Sequence, residues 1–148
     1  MAHFLLDTNI LSALEDPDSE SFRKVYKHLS ACDSEDEIFV SVISIYEYQY
    51  GIANASDEMA GKLKKSLADF EAMFTVIPLN SHGAEIFGRL KSTHISFSSL
   101  PDKAAQRHTA DMIIASSAIE KQAKIVSNDK IFARIAEHFT ELQVENWM

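Results

Sequence analysis

Residues 4–11 read FLLDTNIL, and this stretch carries the pattern that decides the fold. An apolar run leads directly into Asp7, and two more apolar residues follow within four positions. A short apolar run that ends at a polar residue is typical of a buried strand. Residues 3–6 therefore predict a strand, and residues 8–14 predict a helix that begins immediately after it. Asp7 lies at the junction, where it is either a helix cap or one member of a cluster that binds something.

The same alternation of strand and helix continues through all 148 residues. Alternating elements of this kind indicate βαβ units, with a mainly parallel sheet that helices cover on both faces. No linker, repeat or low-complexity segment interrupts the pattern, so we expect one α/β domain over residues 1–148 with about five strands. Pro78 predicts that its strand ends there or lies at an edge. The predicted strands are 3–6, 38–44, 75–79, 123–127 and 142–147, and helices are predicted at 45–55, 57–74, 81–91, 109–122 and 128–139.

The composition is that of a globular protein in a reducing compartment. Hydrophobic residues make up 46% of the chain and charged residues 24%, unlike the apolar-poor composition of disordered chains. The single cysteine, Cys32, excludes a disulfide framework. No apolar run reaches the ~20 residues of a transmembrane helix, and we expect a cytoplasmic protein. The formal net charge of −8 argues against nucleic-acid binding, because phosphate contacts need Lys and Arg, unless bound cations offset the acids.

Four acidic residues occupy related positions in the predicted order of strands and helices. Asp7 and Asp129 each lie where a strand gives way to a helix, Asp111 lies in the first turn of a helix, and Glu47 lies about one turn into another. Ligands of an open parallel sheet bind beyond the carboxyl ends of the strands, so we expect the three aspartates at that rim and Glu47 about one turn into a helix that begins there. Each aspartate alone is also an ordinary cap or helix-dipole partner. Glu47 fits that account less well, because its surroundings predict burial and no Lys or Arg lies within one helical turn.

Carboxylates gathered at one rim need a counter-charge. Two of them ~4 Å apart repel by roughly 4 kcal/mol at an effective dielectric constant near 20, so four would take up protons or share a cation. Oxygen ligands suit Mg²⁺ and Mn²⁺, and such ions activate water for phosphodiester cleavage. Neutral side chains that could orient a carboxylate or a water stand beside the acids: Thr8, Asn9, Ser127 and Asn128.

The segments LLDTNIL, SIYEYQYG, TADMIIASSA and SNDKIF, in this order, resemble the four acidic motifs of PIN-domain proteins. The likeness is greatest to the VapC-type toxins of toxin–antitoxin pairs, and it covers essentially the whole chain. It implies a three-layer α/β/α fold and a metal-dependent endoribonuclease that uses Mg²⁺ or Mn²⁺. It also implies an RNA substrate, a cognate antitoxin and a homodimer. The catalytic and metal-binding acids of the family fall on Asp7, Glu47, Asp111 and Asp129.

The resemblance also implies supporting residues around these acids. The polar partner of the first acid falls on Asn9, and a hydroxyl position that is usually Thr falls on Ser127. Arg89 is a candidate for the arginine that the family often carries on the helix before the third motif. Arg107 and Lys130 flank the acidic motifs, and both are candidates for contacts with phosphate.

Two features depart from the family pattern, and other functions stay open. The loop predicted over residues 95–108 is long, and no basic track for RNA stands out. A phosphatase of the haloacid-dehalogenase type needs a second Asp where this chain has Asn9. A phosphotransfer receiver domain needs an Asp at the end of the third strand, where this chain has Leu79 and Asn80. A non-catalytic module that binds RNA or protein is the remaining alternative, and the presence of all four acids argues against it.

Overall fold

The computed structural model describes residues 1–98 and 108–148, without the side chains of residues 95–98. Its five strands form one sheet in the order β3-β2-β1-β4-β5. Every neighbouring pair is parallel, which confirms the α/β class and the expected number of strands. The strands are His3–Leu6 (β1), Glu37–Ser41 (β2), Thr75–Ile77 (β3), Lys124–Val126 (β4) and Val144–Glu145 (β5).

Seven helices connect or follow these strands in the described part of the chain. Several begin at a capping side chain; for example, the Ser19 and Ser56 hydroxyls accept hydrogen bonds from Phe22 N–H and Met59 N–H. Such caps satisfy backbone donors that a helix start leaves free. None of these helices is both long and apolar enough to cross a bilayer. The helices are Thr8–Ala13 (α1), Glu20–Ala31 (α2), Val42–Asn54 (α3), Asp57–Met73 (α4), Ser81–Ser98 (α5), Thr109–Glu120 (α6) and Lys130–His138 (α7).

The sheet is the middle layer of three, because successive residues of each strand face opposite sides. Leu5 packs into a core with α5, α6 and α7, whose buried members include Leu90 and Phe132. Leu6, the next residue, packs into a second core with α1, α2, α3 and α4, which includes Val25 and Phe70. Both faces of the sheet are therefore covered, as near-continuous apolar runs in parallel strands require.

Several element boundaries differ from those predicted, and the following differences are the most informative. The second strand ends at Ser41 rather than at residue 44, because the Ser41 hydroxyl accepts a hydrogen bond from Ile43 N–H and caps α3. The last strand covers only Val144–Glu145. Helix α5 continues to Ser98, so residues 95–98 are helical and not part of a loop, while residues 99–107 of the predicted loop lie outside the described residues. The edge position inferred from Pro78 is confirmed, because β3 is an edge strand that ends at Ile77.

In this topology the carboxyl ends of the neighbouring parallel strands β1 and β4 lie beside each other. Leu6 pairs with Val126 in the register of β1 and β4, and Asp7 N–H donates to the Val126 carbonyl at 2.9 Å. The residues that follow the two strands, Asp7 and Ser127, are therefore neighbours although 120 positions separate them in the chain. This is the sheet edge at which the sequence predicts a ligand site.

Candidate active site

Asp7 is a buried carboxylate at the centre of this edge. It follows β1 directly, and only 5% of its surface is exposed. It holds the N-cap position of α1, but its side chain makes no capping hydrogen bond. Its Oδ2 instead accepts a hydrogen bond of 2.9 Å from the Ser127 hydroxyl. Capping therefore does not account for this carboxylate.

The Ser127 hydroxyl joins the ends of β1 and β4 through three hydrogen bonds. It donates to Asp7, and it accepts from Asn9 Nδ2 at 3.1 Å and from Asp129 N–H at 3.0 Å. Asn9 Oδ1 in turn accepts from Asn128 N–H at 3.2 Å. Because Ser127 is buried and uses its one proton and both lone pairs, the carboxylate of Asp7 and the backbone before Asp129 are held in one arrangement.

Glu47 is exposed, so the burial expected from its apolar neighbours is wrong. Helix α3 buries only one face: Tyr48 is 6% exposed, whereas Tyr46 and Tyr50 are 70% and 75% exposed. Glu47 nevertheless has a defined partner, because the Thr8 hydroxyl donates to its Oε1 at 2.8 Å. That hydroxyl also lies 2.8 Å from the hydroxyl of Ser44. Sequence analysis missed Ser44, although its position three residues before Glu47 sets both side chains on adjacent parts of the helix.

Asp111 and Asp129 complete the set of acids at the starts of two helices. Asp111 lies in the first turn of α6, and its side chain, 26% exposed, is 3.6 Å from Nδ1 of His108. Asp129 is exposed and caps α7, because its Oδ1 accepts a hydrogen bond of 3.0 Å from Ile131 N–H. Negative charge is favourable at both places, since helix N-termini carry a partial positive charge.

The electrostatics couple the four acids. Burial raises the pKa of Asp7 to about 6; the Ser127 hydroxyl and the Thr8 N–H oppose this rise, and the charges of Asp111 and Glu47 add to it. Burial likewise raises the pKa of Asp111, the contact with His108 lowers it, and the charges of Asp129 and Glu47 raise it. The charges of other acids in the set thus raise the pKa of both Asp7 and Asp111, as expected within one cluster.

The donor set at this edge fits a hard divalent cation. All four acids offer oxygen, the donor that Mg²⁺ and Mn²⁺ prefer, and in the described residues none of them forms an ion pair with Lys or Arg. Within residues 1–98 and 108–148, however, no three His, Cys, Asp or Glu side chains are grouped as ligands of one ion. Each carboxylate is held by a separate donor: Ser127, Thr8, His108 and the Ile131 N–H. A shared ion would therefore require side-chain rotation.

Arg89, the first of the three basic candidates, makes its observed contacts outside this hydrogen-bonded cluster. Arg89 lies 3.8 Å from Glu141 and stacks over the ring of Phe139, so its observed contacts are with the segment after α7. Lys130 is exposed at the start of α7, next to Asp129 in the chain. Arg107 lies outside the described residues. Contacts of these three side chains with phosphate stay a prediction.

Comparison with known proteins gives one family and a consistent set of folds. The family model of the PIN domain matches residues 4–138, and no curated protein matches the chain significantly. The chain is similar to the solved structure of VapBC2 from Rickettsia felis bound to a DNA fragment from their promoter, with 24% identity, 99% coverage of both chains and a TM-score of 0.80.

Two further solved structures share the fold over nearly their full length. VapBC-1 from nontypeable Haemophilus influenzae is 18% identical, with 98% of each chain covered and a TM-score of 0.78. VapBC-5 from Mycobacterium tuberculosis, a member of the VapBC family of toxin–antitoxin systems, is also 18% identical; the match covers 99% of this chain and 98% of that one, with a TM-score of 0.67. At these identities the likeness establishes the architecture alone.

Proposed function

The chain belongs to the PIN domain family, and from that premise we propose that it is a metal-dependent endoribonuclease, the toxin of a toxin–antitoxin pair. The observation that carries the proposal is the set of four acids at the carboxyl edge of the sheet: Ser127 holds Asp7, Thr8 holds Glu47, and Asp111 and Asp129 lie at the starts of α6 and α7. Burial is the main cause of the raised pKa of Asp7 and of Asp111; the charges of neighbouring acids add to it, and no Lys or Arg among the described residues neutralises that charge by ion pairing. A divalent cation would supply that neutralisation.

We assign the binding of Mg²⁺ or Mn²⁺ to the four acids. When bound, such an ion makes water a better nucleophile and stabilises the negative charge that develops on phosphate during hydrolysis. Asp7 is the fixed member of the set, since Ser127 and the strand end hold it in place. Asn9 and Asn128 stabilise the same junction, because the Asn128 N–H donates a hydrogen bond to Asn9 Oδ1. Glu47 and Asp129 are exposed, and they face solvent, from which RNA must approach.

Purified protein tests this assignment directly. We expect the wild type to cleave RNA with Mn²⁺ or Mg²⁺ and to lose activity in EDTA, whereas Asp7→Asn and Asp111→Asn lose cleavage but keep the fold. Asp18→Asn, which removes an exposed carboxylate from the loop before α2, is the matched control and should cleave normally. Cleavage by pure Asp7→Asn at the wild-type rate would refute the catalytic assignment.

A cognate antitoxin is the expected protein partner, and we assign it to a groove of about 860 Å³ between α2 and α4. The groove exposes apolar side chains: Tyr26 is 57% and Met73 61% accessible. The neighbours of this fold come from VapBC complexes, which supports a partner of the same kind. Co-purification with the product of the adjacent reading frame should be lost in Met73→Glu and retained in Met59→Glu, which lies on the same helix outside the groove.

The non-catalytic alternative makes a different prediction in cells. A module that acts only by binding would arrest growth when overproduced even without Asp111 or Glu47. A ribonuclease needs both acids, so Asp111→Asn and Glu47→Gln should permit growth where the wild type arrests it. We place the activity in the cytoplasm, where RNA is available to it. The homodimer that the family resemblance implies stays a prediction.

A further inference from the structure

Three side chains form a linear hydrogen-bond relay that ends on Glu47. Ser44 Oγ lies 2.8 Å from Thr8 Oγ1, and Thr8 Oγ1 lies 2.8 Å from Glu47 Oε1. Accessibility rises along the relay: Ser44 is fully buried, Thr8 is half-buried and Glu47 is exposed. The relay therefore runs from the interior of the protein to a carboxylate at its surface.

The direction of the protons in the relay follows from hydrogen-bond chemistry. An ionised carboxylate only accepts, so the Thr8 hydroxyl must give its proton to Glu47. A hydroxyl has one proton, and the proton between Thr8 and Ser44 must therefore come from Ser44. Ser44 donates to Thr8, and Thr8 donates to Glu47. Neither hydroxyl can reverse without breaking the bond to the carboxylate.

Glu47 depends on this relay because the bond from Thr8 is the one hydrogen bond that its carboxylate accepts from the described residues. An exposed glutamate has several accessible rotamers and loses conformational entropy when it is held in one of them. The Thr8 residue that holds it follows Asp7 directly, so the relay also fixes Glu47 relative to the buried acid. Ser44 lies on α3 three residues before Glu47 and occupies an acceptor site of the Thr8 hydroxyl, which leaves the Thr8 proton directed at Glu47.

We propose that Ser44 is a positioning residue: through Thr8 it holds Glu47 Oε1 and leaves Oε2 available to a divalent cation. Ser44 itself touches neither ion nor RNA. The consequence for catalysis rests on the proposed function, whereas the orientation of Glu47 does not. Partners of this kind are known to tune metal sites from outside the ligand shell.

The orientation is tested in the metal-free protein by NMR, using three-bond couplings that report the χ1 angle of Glu47. We expect one rotamer in the wild type and averaged couplings in Ser44→Ala. The matched control is Ser116→Ala, which removes another buried serine hydroxyl whose bond, at 2.7 Å to the Ile113 carbonyl, stays within its own helix. Unchanged Glu47 couplings in Ser44→Ala, or equal averaging in Ser116→Ala, would overturn the proposal.

Two more variants separate positioning from general damage to the core. Thr8→Val keeps the shape of the side chain but removes the middle hydroxyl, and it should average the Glu47 couplings as Ser44→Ala does. Ser44→Thr keeps a hydroxyl and should restore the single rotamer. If Thr8→Val averages the couplings while a folded Ser44→Ala does not, Ser44 has no positioning role and the proposal falls.

The functional consequence has its own readouts. Mn²⁺ titration without RNA should show affinity reduced about tenfold in Ser44→Ala, the lower end of the range for substitutions outside the ligand shell, and Ser44→Thr should recover it. In RNA cleavage, kcat should fall while KM changes little. Unchanged Mn²⁺ affinity and kcat in Ser44→Ala would overturn this consequence. A wild type that neither binds Mn²⁺ nor cleaves RNA would overturn the proposed function instead, and the couplings would still decide the role of Ser44.

Discussion

Asp7→Asn should make the metal-free protein more stable at neutral pH while it removes activity. Burial raises the pKa of Asp7 from 3.8 to about 6. Between these values the folded state holds more protons than the unfolded state, so the free energy of unfolding falls as pH rises through this window. A rise of this size corresponds to about 3 kcal/mol of destabilisation that is fully present above about pH 6. Asparagine carries no charge at that position and avoids this cost.

The net gain is smaller, because the amide cannot reproduce every hydrogen bond of the carboxylate. The Ser127 hydroxyl and the Thr8 N–H both donate to Asp7, and one of them would meet the NH₂ group, at a cost of about 1–2 kcal/mol. We therefore expect a gain of about 1.5 kcal/mol at pH 7.5, which raises Tm by about 5 °C for a domain of this size. At pH 4.5 the charge penalty in the wild type is lower by about 2 kcal/mol, so the variant should gain nothing there.

Thermal unfolding followed by circular dichroism in EDTA, at pH 7.5 and pH 4.5, measures both values. Asp18→Asn is the control, since it removes an exposed carboxylate and should show no gain that depends on pH. Adding Mn²⁺ should then raise the Tm of the wild type, because a ligand that binds only the folded state stabilises it, and should raise that of Asp7→Asn less. A variant that is less stable than wild type at pH 7.5, or equally stabilised at both pH values, would refute the electrostatic argument.

Further predictions concern the hydroxyl beside Asp7, a helix end and the core. The Ser127 hydroxyl lowers the pKa of Asp7. Ser127→Ala should therefore move the acidic limb of the pH profile of kcat/KM to higher pH, whereas Ser127→Thr should leave it in place. An acidic limb that does not move in Ser127→Ala would contradict this prediction. Gln122 follows the end of α6 and has a φ of 53°. Glycine adopts this conformation without strain, so Gln122→Gly should raise the free energy of unfolding in urea by about 0.5–1 kcal/mol. A lower free energy of unfolding would show that contacts of the Gln122 side chain outweigh the strain. Leu90 is fully buried and Leu79 is 48% exposed. Leu90→Ala should therefore lower the free energy of unfolding by about 2–5 kcal/mol, and Leu79→Ala by less than about 0.5 kcal/mol. Equal losses of stability would show that Leu90 is not buried in the core.

The sequence predicts the sheet well because its information on strands is local. Short apolar runs and helical spacing locate β1, β2 and the helices around them, and parallel topology then brings the carboxyl ends of the strands to one edge of the sheet. The predicted boundary between β2 and α3 is three residues too late, because Val42 and Ile43 continue the apolar run and hydropathy does not reveal the cap at Ser41. Capping depends on backbone geometry, and hydropathy does not report it.

Burial around Glu47 was the part that the sequence could not decide. Aromatic and aliphatic neighbours raise mean hydropathy on every side of α3, yet Tyr46 and Tyr50 are mostly exposed and only Tyr48 among the three tyrosines is buried. Which face of a helix meets the core depends on its neighbours, here chiefly α4. The contact between Thr8 and Ser44 is likewise tertiary, because 36 positions separate them in the chain. The one sequence feature that indicates a link between Ser44 and Glu47 is their separation by three residues on the same helix.

The four acids divide into a buried or half-buried pair and an exposed pair, and this division accounts for why the described residues hold no preassembled set of metal ligands. Asp7 is buried and Asp111 is half-buried; both have a raised pKa and are restrained by fixed neighbours. Glu47 and Asp129 are exposed; the Thr8 hydroxyl donates to Glu47, and the Ile131 N–H donates to Asp129. Four carboxylates preassembled at ligand distance would repel strongly in the free protein. Because Glu47 and Asp129 are in contact with water, the repulsion among the four acids is limited. The loss of folding stability then falls mainly on Asp7, whose carboxylate is the most closely fixed of the four.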